Sequence, residues 1–164
     1  IRKSFKSIIN KGLKEQEIIL IDHINFNKDI LKRIQELHHI VSGKITRSQA
    51  SWDIQFDAIK NDMAFAFCAF QNNNISSAIY FIINRRNAYY SVGIYTDESK
   101  EKMFGHCLIW KAILYCKERG LNLCEIDMDL KFRGLTNIEE KLKQISYFKA
   151  GFGGEVVSKH EFII

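Results

Sequence analysis

Three successive runs of apolar and aromatic residues in the middle of the chain constrain the fold more than any other feature. The runs cover residues 63–70, 75–83 and 88–95, and they are separated by three asparagines and by the polar segment 84–87. Short polar interruptions between runs of this length are typical of turns between neighbouring strands. The sequence therefore predicts an antiparallel three-stranded meander within an α/β (α+β) domain.

Helical periodicity dominates the part of the chain before this meander. Residues 3–13 have apolar positions at helical spacing and predict a short basic helix, while the isoleucine-rich residues 17–22 predict a strand. A stripe at i, i+4, i+7, i+8 and i+11 then predicts an amphipathic helix, and its members are Ile30, Ile34, Leu37, His38 and Val41. A second helix of the same pair is predicted over residues 48–60, with Ser48 as its N-cap.

The part of the chain after the meander alternates helix and strand. Residues 99–119 predict a helix buried against a sheet, because the segment between Met103 and Cys116 is apolar on nearly every side. Residues 121–127 predict a strand, and it should run parallel to the strand at 88–95 because a helix separates the two. A further helix is predicted over residues 138–149 and a closing strand over residues 155–163.

The formal net charge of +5 is concentrated at the N-terminus. Five cations precede the first acidic residue, and they are Arg2, Lys3, Lys6, Lys11 and Lys14. Of the 24 Lys and Arg residues, 19 remain beyond this segment, against 19 Asp and Glu. We therefore predict a basic N-terminal helix or arm over residues 1–14 and one domain over residues 15–164. The charge of the arm fits a solvated helix face as well as a surface for phosphate groups.

The cysteines and histidines lack the spacing of a disulfide framework or a metal site. The cysteines lie within apolar runs without a C-x-x-C pair, at positions Cys68, Cys107, Cys116 and Cys124. His38 and His39 are adjacent, so their side chains point about 100° apart on a helix. The sequence therefore predicts reduced core cysteines and no metal.

The end of the last predicted helix carries the motif Y-x-x-x-G-F. Tyr147 stands four residues before Gly151, and the run F-K-A-G-F-G-G begins at Phe148. The motif resembles the GNAT superfamily of N-acyltransferases, in which such a tyrosine faces the leaving group of the acyl carrier. The pair Phe148-Lys149 is similar to the branch related to Fem-type aminoacyltransferases, which build peptidoglycan bridges, and to relatives associated with surface polysaccharide synthesis. The predicted element order agrees with the GNAT layout over residues 27–163.

The resemblance implies a mixed, mostly antiparallel sheet with flanking helices and a splayed central parallel pair of strands. The acyl carrier would lie in that opening, with its phosphates at the N-terminus of the long helix, where unpaired N–H groups bind anions. Lys102 stands where the superfamily has Arg or Gln, and Cys107 replaces its last small residue. The residues implied in donor binding are Lys102, Gly105, His106 and Phe148. The implied donor is an acyl-CoA such as acetyl-CoA, or an aminoacyl-tRNA.

Two other segments resemble the Fem relatives and imply contacts with the acceptor. One is the N-terminal stretch R-K-S-x-x-S-x-I-N, and the other is G-x-x-T-R before S-W in residues 43–52. The implied acceptor-binding residues are Arg2, Lys3, Lys6, Arg47 and Trp52. The acceptor would be a nucleotide- or lipid-linked sugar or peptide. Helical spacing also allows Trp52 to be a core aromatic, and this alternative is the one that the spacing favours.

A base is expected because an attacking amine must lose a proton. Glu125 and Asp127 alternate along the strand after the long helix, so they share one face and are the candidate carboxylates. His106, beside the predicted phosphate turn, is the other candidate. Ordinary salt bridges would explain the two acids as well.

Tyr147 and Lys149 are the remaining catalytic candidates, and helix geometry separates them. Side chains two residues apart point about 200° apart, so only one of the two faces the opening. Lys149 lies on the apolar stripe of its helix, which consists of Ile138, Leu142 and Ile145. This favours Lys149 as the group that meets an oxyanion, whereas an inward Tyr147 would protonate a departing thiolate.

The residues and the resemblance together predict an N-acyltransferase that moves an acyl or aminoacyl group onto an amine of a cell-envelope sugar or peptidoglycan precursor. Its partners would be the acyl carrier, that precursor and, in one alternative, a tRNA. Because Fem relatives are about twice as long and have two related halves, we expect the chain to be the C-terminal half. A non-catalytic GNAT-like scaffold is the alternative. No run approaches about eighteen apolar residues, so we expect a cytoplasmic protein, at most located at the inner membrane surface.

Overall fold

The computed structural model describes residues 1–126 and 139–155, which form six helices and a five-stranded sheet. The elements follow in the order α1 (Lys3–Glu15), β1 (Glu17–Ile21), α2 (Lys28–Ser42), α3 (Gln49–Lys60), β2 (Ala64–Gln71), β3 (Asn74–Asn84), β4 (Asn87–Tyr95), α4 (Asp97–Glu101), α5 (Gly105–Glu118), β5 (Leu123–Glu125) and α6 (Glu140–Ala150). The predicted closing strand lies outside the described residues except for Glu155, which belongs to no strand.

The sheet has the strand order β1-β2-β3-β4-β5 and contains the predicted meander. β1 to β4 pair antiparallel, each with its neighbour along the chain. The polar interruptions of the sequence form the turns, where Asn72, Asn73 and Arg85 have positive φ angles. Asparagine adopts this left-handed conformation more readily than most other residues with a side chain. The asparagine triplet therefore explains where β2 ends and β3 begins.

β5 pairs parallel to β4, and the pairing covers only the first part of β4. The pairs are Asn87 with Leu123, Ala88 with Cys124, and Tyr89 with Glu125. β4 continues to Tyr95, whereas Ile126 belongs to no strand. Between Tyr89 and Tyr95 the register of β4 against β3 shifts, with Ser91 as the extra residue of a β-bulge. Bulges bend a strand, and the last pair of β4 with β5 lies beside this one. The splaying that the resemblance implies stays a prediction, because the chain directly beyond Ile126 lies outside the described residues.

Two hydrophobic cores lie on the two faces of the sheet. On one face, Phe65 and Phe67 of β2 pack with Leu108 of α5 and with α1. On the other face, Ala66 and Cys68 of β2 pack with α2 and α3. Alternate residues of a strand point to opposite faces, so β2 serves both cores. α5 is covered by the sheet and by α1, which explains why it is apolar on nearly every side.

The prediction of one helix over residues 99–119 is wrong at its start. The Thr96 side chain accepts a hydrogen bond from the Ser99 N–H at 3.2 Å, and this cap begins the short helix α4 two residues earlier. Met103 then adopts a left-handed φ of 58°, which ends the helical path. The chain resumes as α5 at Gly105, so residues 102–104 form a connection rather than a helical turn.

α1 packs against α5 and contributes Phe5 and Ile9 to the core. Gly12 allows the close approach of the two helices, since a Cβ there would lie 2.8 Å from the Cys107 sulfur. The predicted boundary after residue 14 stays a prediction, although α1 is packed on the domain. In the described part of the chain, no helix has the length and apolar character needed to cross a membrane.

The end of the sheet where β1 finishes and β2 begins carries a network of polar side chains, which we call the sheet-end network. Its members are Asp22, His23, Asp62, Tyr115 and Arg119. Arg119 donates to both Asp62 oxygens at 2.8 Å and to the Tyr115 hydroxyl at 3.1 Å. The Tyr115 hydroxyl donates to Asp22 at 2.9 Å, and the His23 Nδ1 lies 2.8 Å from Asp62. This network joins the C-terminal end of α5 to the loops beside β1 and β2.

Candidate active site

The C-terminal end of α6 presents Tyr147 and Lys149 to different surroundings, as the helical wheel predicts. The Lys149 side chain points to the sheet, and its Nζ lies 4.9 Å from the ring centre of Tyr90. The Tyr147 side chain is 66% exposed. The helix ends at Gly151, whose N–H donates to the carbonyl of Phe148 at 3.1 Å. The roles of Tyr147 and Lys149 stay predictions, but the lysine is the one that reaches β4.

Tyr90 lies beside the end of the described pairing between β4 and β5. The last pair of the two strands is Tyr89 with Glu125, so Tyr90 is the first β4 residue beyond it. The Tyr90 and Tyr95 hydroxyls lie 3.0 Å apart across Gly93, where a Cβ would overlap the Tyr90 hydroxyl. Burial raises the pKa of Tyr95 well above its ordinary value, so this hydroxyl stays protonated. Lys149 of the α6 motif therefore lies beside the end of the pairing between β4 and β5.

The predicted phosphate turn is held by contacts within the chain. The Lys102 ammonium forms an ion pair of 2.6 Å with Glu98. The main-chain N–H groups of residues 102, 103, 104 and 106 donate to main-chain carbonyls of α4 and the following connection. Gly105 is packed beneath the Tyr95 ring, since a Cβ there would lie 2.7 Å from that ring. Phosphate binding by these amides would therefore require existing hydrogen bonds to be exchanged.

His106 lies in an aromatic cluster that joins α1, α5 and α6. Its ring centre is 4.4 Å from that of Phe5 and 4.7 Å from that of Phe148, and Phe152 completes the cluster. Its Nδ1 lies 2.8 Å from the Met103 carbonyl oxygen. Burial lowers the pKa of His106, and the nearby Arg2 lowers it further, so the ring is neutral at pH 7. The predicted donor residues His106 and Phe148 thus pack against each other.

Arg2 contacts the α6 motif rather than standing with the other cations of α1. Its guanidinium lies 3.8 Å from the ring centre of Tyr147, and its main-chain N–H donates to the Gly151 carbonyl at 2.7 Å. Lys3 and Lys6, by contrast, have exposed side chains. The acceptor roles predicted for these three cations stay predictions. The contact of Arg2 with Tyr147 spans 145 residues, and no local pattern in the sequence indicates it.

Glu125 is the last residue of β5 and is half-buried. Its neighbours Cys124 and Ile126 pack against the core on the α5 side of the sheet. Because strand residues alternate, Glu125 points to the side of α2 and α3. Asp127, the other predicted carboxylate, lies outside the described residues.

Trp52 and Arg47 lie together near the connection between α2 and α3. The Trp52 side chain is buried in the core on that face, and the Arg47 guanidinium lies 6.0 Å from its ring centre. The rings of His38 and His39 meet the Trp52 ring at 5.3 and 6.3 Å between centres. Gln55 follows Trp52 by one helical turn and is also buried. We call His38, His39, Trp52 and Gln55 the α2–α3 polar cluster.

No motif in the sequence assigns His38, His39 and Gln55 to a site. One signal was available, because His38 occupies a position on the inward stripe of its helix where an apolar residue is expected. In residues 1–126 and 139–155, no group of three or more His, Cys, Asp and Glu side chains is placed to hold a metal ion.

Solved structures share this architecture over most of the chain. One is the crystal structure of the aminoglycoside acetyltransferase meta-AAC0020, from an uncultured soil metagenomic sample, in complex with sisomicin. Its sequence is 13% identical to this chain, and the TM-score is 0.65. The match covers 92% of this chain and 97% of that one. AAC(6')-Iy in complex with the bisubstrate analogue CoA-S-monomethyl-acetylneamine is 12% identical, with a TM-score of 0.65 and coverage of 91% and 97%.

A third structure is described as an acetyltransferase of the GNAT family from Staphylococcus aureus Mu50. It is 18% identical, with a TM-score of 0.58 and coverage of 84% of this chain and 82% of that one. The fold is the GNAT fold. No protein-family model and no curated protein matches the chain. The GNAT fold agrees with the superfamily indicated by the Y-x-x-x-G-F motif, and the Fem-related branch stays a prediction.

Proposed function

We propose that the protein is a GNAT-type N-acyltransferase whose site lies where β4 and β5 part. The position of Lys149 carries this proposal. Its ammonium lies over the ring of Tyr90, the first β4 residue beyond the last pair with β5. The Y-x-x-x-G-F motif therefore has its cation, Lys149, beside the proposed opening. Two proteins of the same fold are described as acetyltransferases, and a third is bound to a CoA bisubstrate analogue, which supports the same reaction class.

In the proposed reaction, the acceptor amine attacks the carbonyl carbon of the donor, and the bond between that carbon and the carrier breaks. The carbonyl oxygen gains negative charge during the attack, and the Lys149 ammonium stabilises it. Glu125, on the side of α2 and α3, accepts the proton that the amine loses, through a water molecule. Tyr147 is exposed and contacts Arg2, whereas Lys149 lies over Tyr90, so we assign the catalytic role to Lys149 rather than to Tyr147.

The donor is an acyl-CoA, with an aminoacyl-tRNA as the alternative, and the acceptor is an amine of a cell-envelope sugar or peptidoglycan precursor. The resemblance of the F-K-x-G-F-G-G run to Fem-related proteins supports this acceptor. So do the exposed lysines of α1, which offer cations to the phosphates of a nucleotide- or lipid-linked precursor. Such a precursor would place the protein in the cytoplasm, at the inner membrane surface.

One observation favours the second candidate, a non-catalytic scaffold. The first turn of α5, where the superfamily binds the carrier's phosphates, is buried. Phe5 of α1 packs on His106, and Gly12 of α1 packs on Cys107. A domain that keeps this cover in place would bind no acyl carrier at α5.

Donor binding and product formation together separate the two functions. The unfolding transition is measured with acetyl-CoA and with an aminoacyl-tRNA, since a ligand at one hundred times its Kd stabilises by about 2.7 kcal/mol. Amide products are then sought by mass spectrometry with glucosamine and with a lysine-containing peptide as acceptors. The proposed enzyme binds one donor and forms an amide. If neither donor stabilises the protein and no amide forms, the enzyme proposal is overturned and the non-catalytic scaffold is the remaining candidate function.

A further inference from the structure

The C-terminal end of α6 is completed by hydrogen bonds from the residues that follow it and from Arg2. The last carbonyl groups of a helix have no partner within the helix. The N–H groups of residues 151, 152 and 153 donate to the carbonyls of residues 148, 149 and 150 at 3.1, 3.2 and 3.3 Å. The carbonyl of Tyr147 accepts from the Arg2 guanidinium at 3.4 Å, and the carbonyl of Gly151 accepts from the Arg2 main-chain N–H at 2.7 Å. Arg2, the N-cap residue of α1, therefore takes part in ending α6.

The Arg2 side chain contacts two aromatic rings. Its guanidinium carbon lies 3.8 Å from the ring centre of Tyr147 and 5.1 Å from that of Phe5. A guanidinium within about 6 Å of a ring centre is attracted to the face of the ring. A cation beside the last turn of a helix is also favoured by the negative end of the helix dipole. Because Tyr147 is exposed and Phe5 is buried, these contacts attach the exposed side of α6 to the core.

Phe5 forms a second contact between α1 and the end of α6. Its ring packs against the rings of Phe148 and Phe152, with centres 6.3 and 5.2 Å away. A Cβ on Gly151 would lie 2.2 Å from the Phe5 ring, so the ring occupies space that only a glycine leaves open. The glycine of the Y-x-x-x-G-F motif is therefore fitted to α1 as well as to the end of its own helix.

α1 is itself fixed to α5 and to the sheet. Ile9 belongs to the core that α5 shares with the sheet. The Gln16 side chain, directly after α1, donates to the Ser76 hydroxyl of β3 at 2.9 Å and accepts from the Cys107 thiol of α5 at 3.4 Å. A contact with α1 therefore fixes the end of α6 relative to the whole domain.

α6 needs such contacts to keep its position. The helix has 11 residues, and isolated helices shorter than about 12–15 residues are marginal in water. Its apolar side chains Leu142 and Ile145 are exposed. Contacts at its C-terminal end therefore contribute strongly to where that end lies.

Lys149 lies at the same end of α6 as the Arg2 contacts. It follows Tyr147 by two residues, which is about 3 Å along the helix axis and about 200° around it. Arg2 therefore holds one side of the last turn, while the Lys149 ammonium reaches the Tyr90 ring on the other side. A rotation or shift of this turn would move Lys149 relative to Tyr90.

We propose that Arg2 is a positioning residue for acyl transfer, because it fixes the last turn of α6 and so keeps the Lys149 ammonium over Tyr90. This deepens the proposed function, on which it rests for the catalytic role of Lys149. Arg2 acts through Tyr147 and the helix end, not through a contact with the substrates. A displacement of about 1 Å in a catalytic group can lower a rate about 10²-fold, so a small movement of the helix end is sufficient. In this proposal, α1 works as part of the acyltransferase domain.

The first test measures hydrogen exchange of the amides of residues 151–153 by NMR and needs no substrate. Arg2→Met removes the guanidinium, and exchange of these amides should become about tenfold faster. Lys143→Met removes a cation from the exposed side of the same helix and should leave the exchange unchanged. Unchanged exchange in Arg2→Met would overturn the proposal. If Arg2→Met does not fold, Tyr147→Leu removes the other half of the contact at an exposed position and decides by the same criterion.

The second test is a double-mutant cycle on kcat with Arg2→Met and Lys149→Met. In the unaltered chain, Arg2→Met should lower kcat about tenfold and leave the KM for the acceptor nearly unchanged. In the Lys149→Met background it should have no further effect, because no ammonium is left to position. An equal loss of kcat in both backgrounds would indicate damage to the fold, and a raised KM with unchanged kcat would indicate acceptor binding by Arg2. Either result would overturn the positioning role.

The two tests separate failure of this proposal from failure of the proposed function. Faster exchange in Arg2→Met, with no amide formed by the unaltered chain, would retain the hold of Arg2 on α6 and overturn the acyltransferase. Acyl transfer that depends on Lys149 but not on Arg2 would retain the acyltransferase and overturn the positioning role.

Discussion

The sheet-end network and the α2–α3 polar cluster are two groups of partly buried polar side chains that differ in how many of their polar atoms are hydrogen-bonded. In the sheet-end network, Asp62 is held by two hydrogen bonds from Arg119 and by His23, and Tyr115 bridges Arg119 to Asp22. In the cluster, four polar atoms have no partner among the described residues. A network of hydrogen bonds satisfied within the chain adds to stability, whereas buried polar atoms without partners lower it. The two regions should therefore respond in opposite directions when a polar side chain is replaced by an apolar one.

The largest stability change should come from the sheet-end network. Arg119→Met removes two charged hydrogen bonds to Asp62 and one to Tyr115, and the partly exposed position moderates the loss, so we expect about 2 kcal/mol of destabilisation. The measurement is equilibrium unfolding in urea. Lys117→Met, at an exposed position of the same helix, is the matched control and should change little. Equal stability of the two variants would contradict a structural role for the network.

A change of opposite sign is expected in the cluster. Gln55→Met replaces a buried acceptor that lacks a partner by an apolar side chain of similar length, so the free energy of unfolding should rise by about 1 kcal/mol. The same urea experiment measures it, with Gln35→Met as the control. A gain of stability is the result that a buried acceptor without a partner requires. A clear loss of stability would mean that Gln55 is bonded in the free protein.

The smallest expected effect is the pH dependence of the free energy of unfolding, which also differs between the two regions. The pKa of His38 is lowered in the folded chain by burial, Arg47 and His39, so on acidification the unfolded chain takes up a proton before the folded chain does. Stability should therefore fall as the pH drops below about 6.5. His106, whose pKa is lowered by burial, adds to the same slope.

Asp22 in the sheet-end network responds only in stronger acid. Burial alone would raise its pKa, but hydrogen bonds from Asn25, Tyr115 and Ile24 bring it below its ordinary value. The contribution of Asp22 to stability is present above pH 4 and is lost as the pH falls through its lowered pKa.

The His38 prediction is tested by thermal unfolding of His38→Asn between pH 7 and pH 5. The unfolding temperature of this variant should decline less with falling pH than that of the unaltered chain. An unchanged slope would contradict the assignment to His38.

The local features of the fold could be predicted from the sequence, and the contacts distant in sequence could not. Asparagine triplets and apolar runs indicate the meander because turn conformation and strand burial are local properties. Helix geometry predicts that Tyr147 and Lys149 have different surroundings, but the apolar stripe expected to face the sheet has Leu142 and Ile145 exposed. The helical pattern does not indicate the break at Met103, although Thr96 is a capping signal for the start of α4. Neither the pairing of Arg119 with Asp62 nor that of Arg2 with Tyr147 has a sequence signature, because tertiary packing brings these residues together across 57 and 145 positions.

Acyl-transfer kinetics of Lys149→Met test the proposed site most directly. Lys143→Met is the matched control, because Lys143 lies on the same helix with an exposed side chain paired to Glu140. If the Lys149 ammonium stabilises the oxyanion, its removal should lower kcat by about 10²–10³-fold, while Lys143→Met keeps the unaltered rate. Circular dichroism verifies that both variants fold. Equal kcat values for the two variants, with amide product formed by both, would contradict the proposal that acyl transfer occurs beside Lys149.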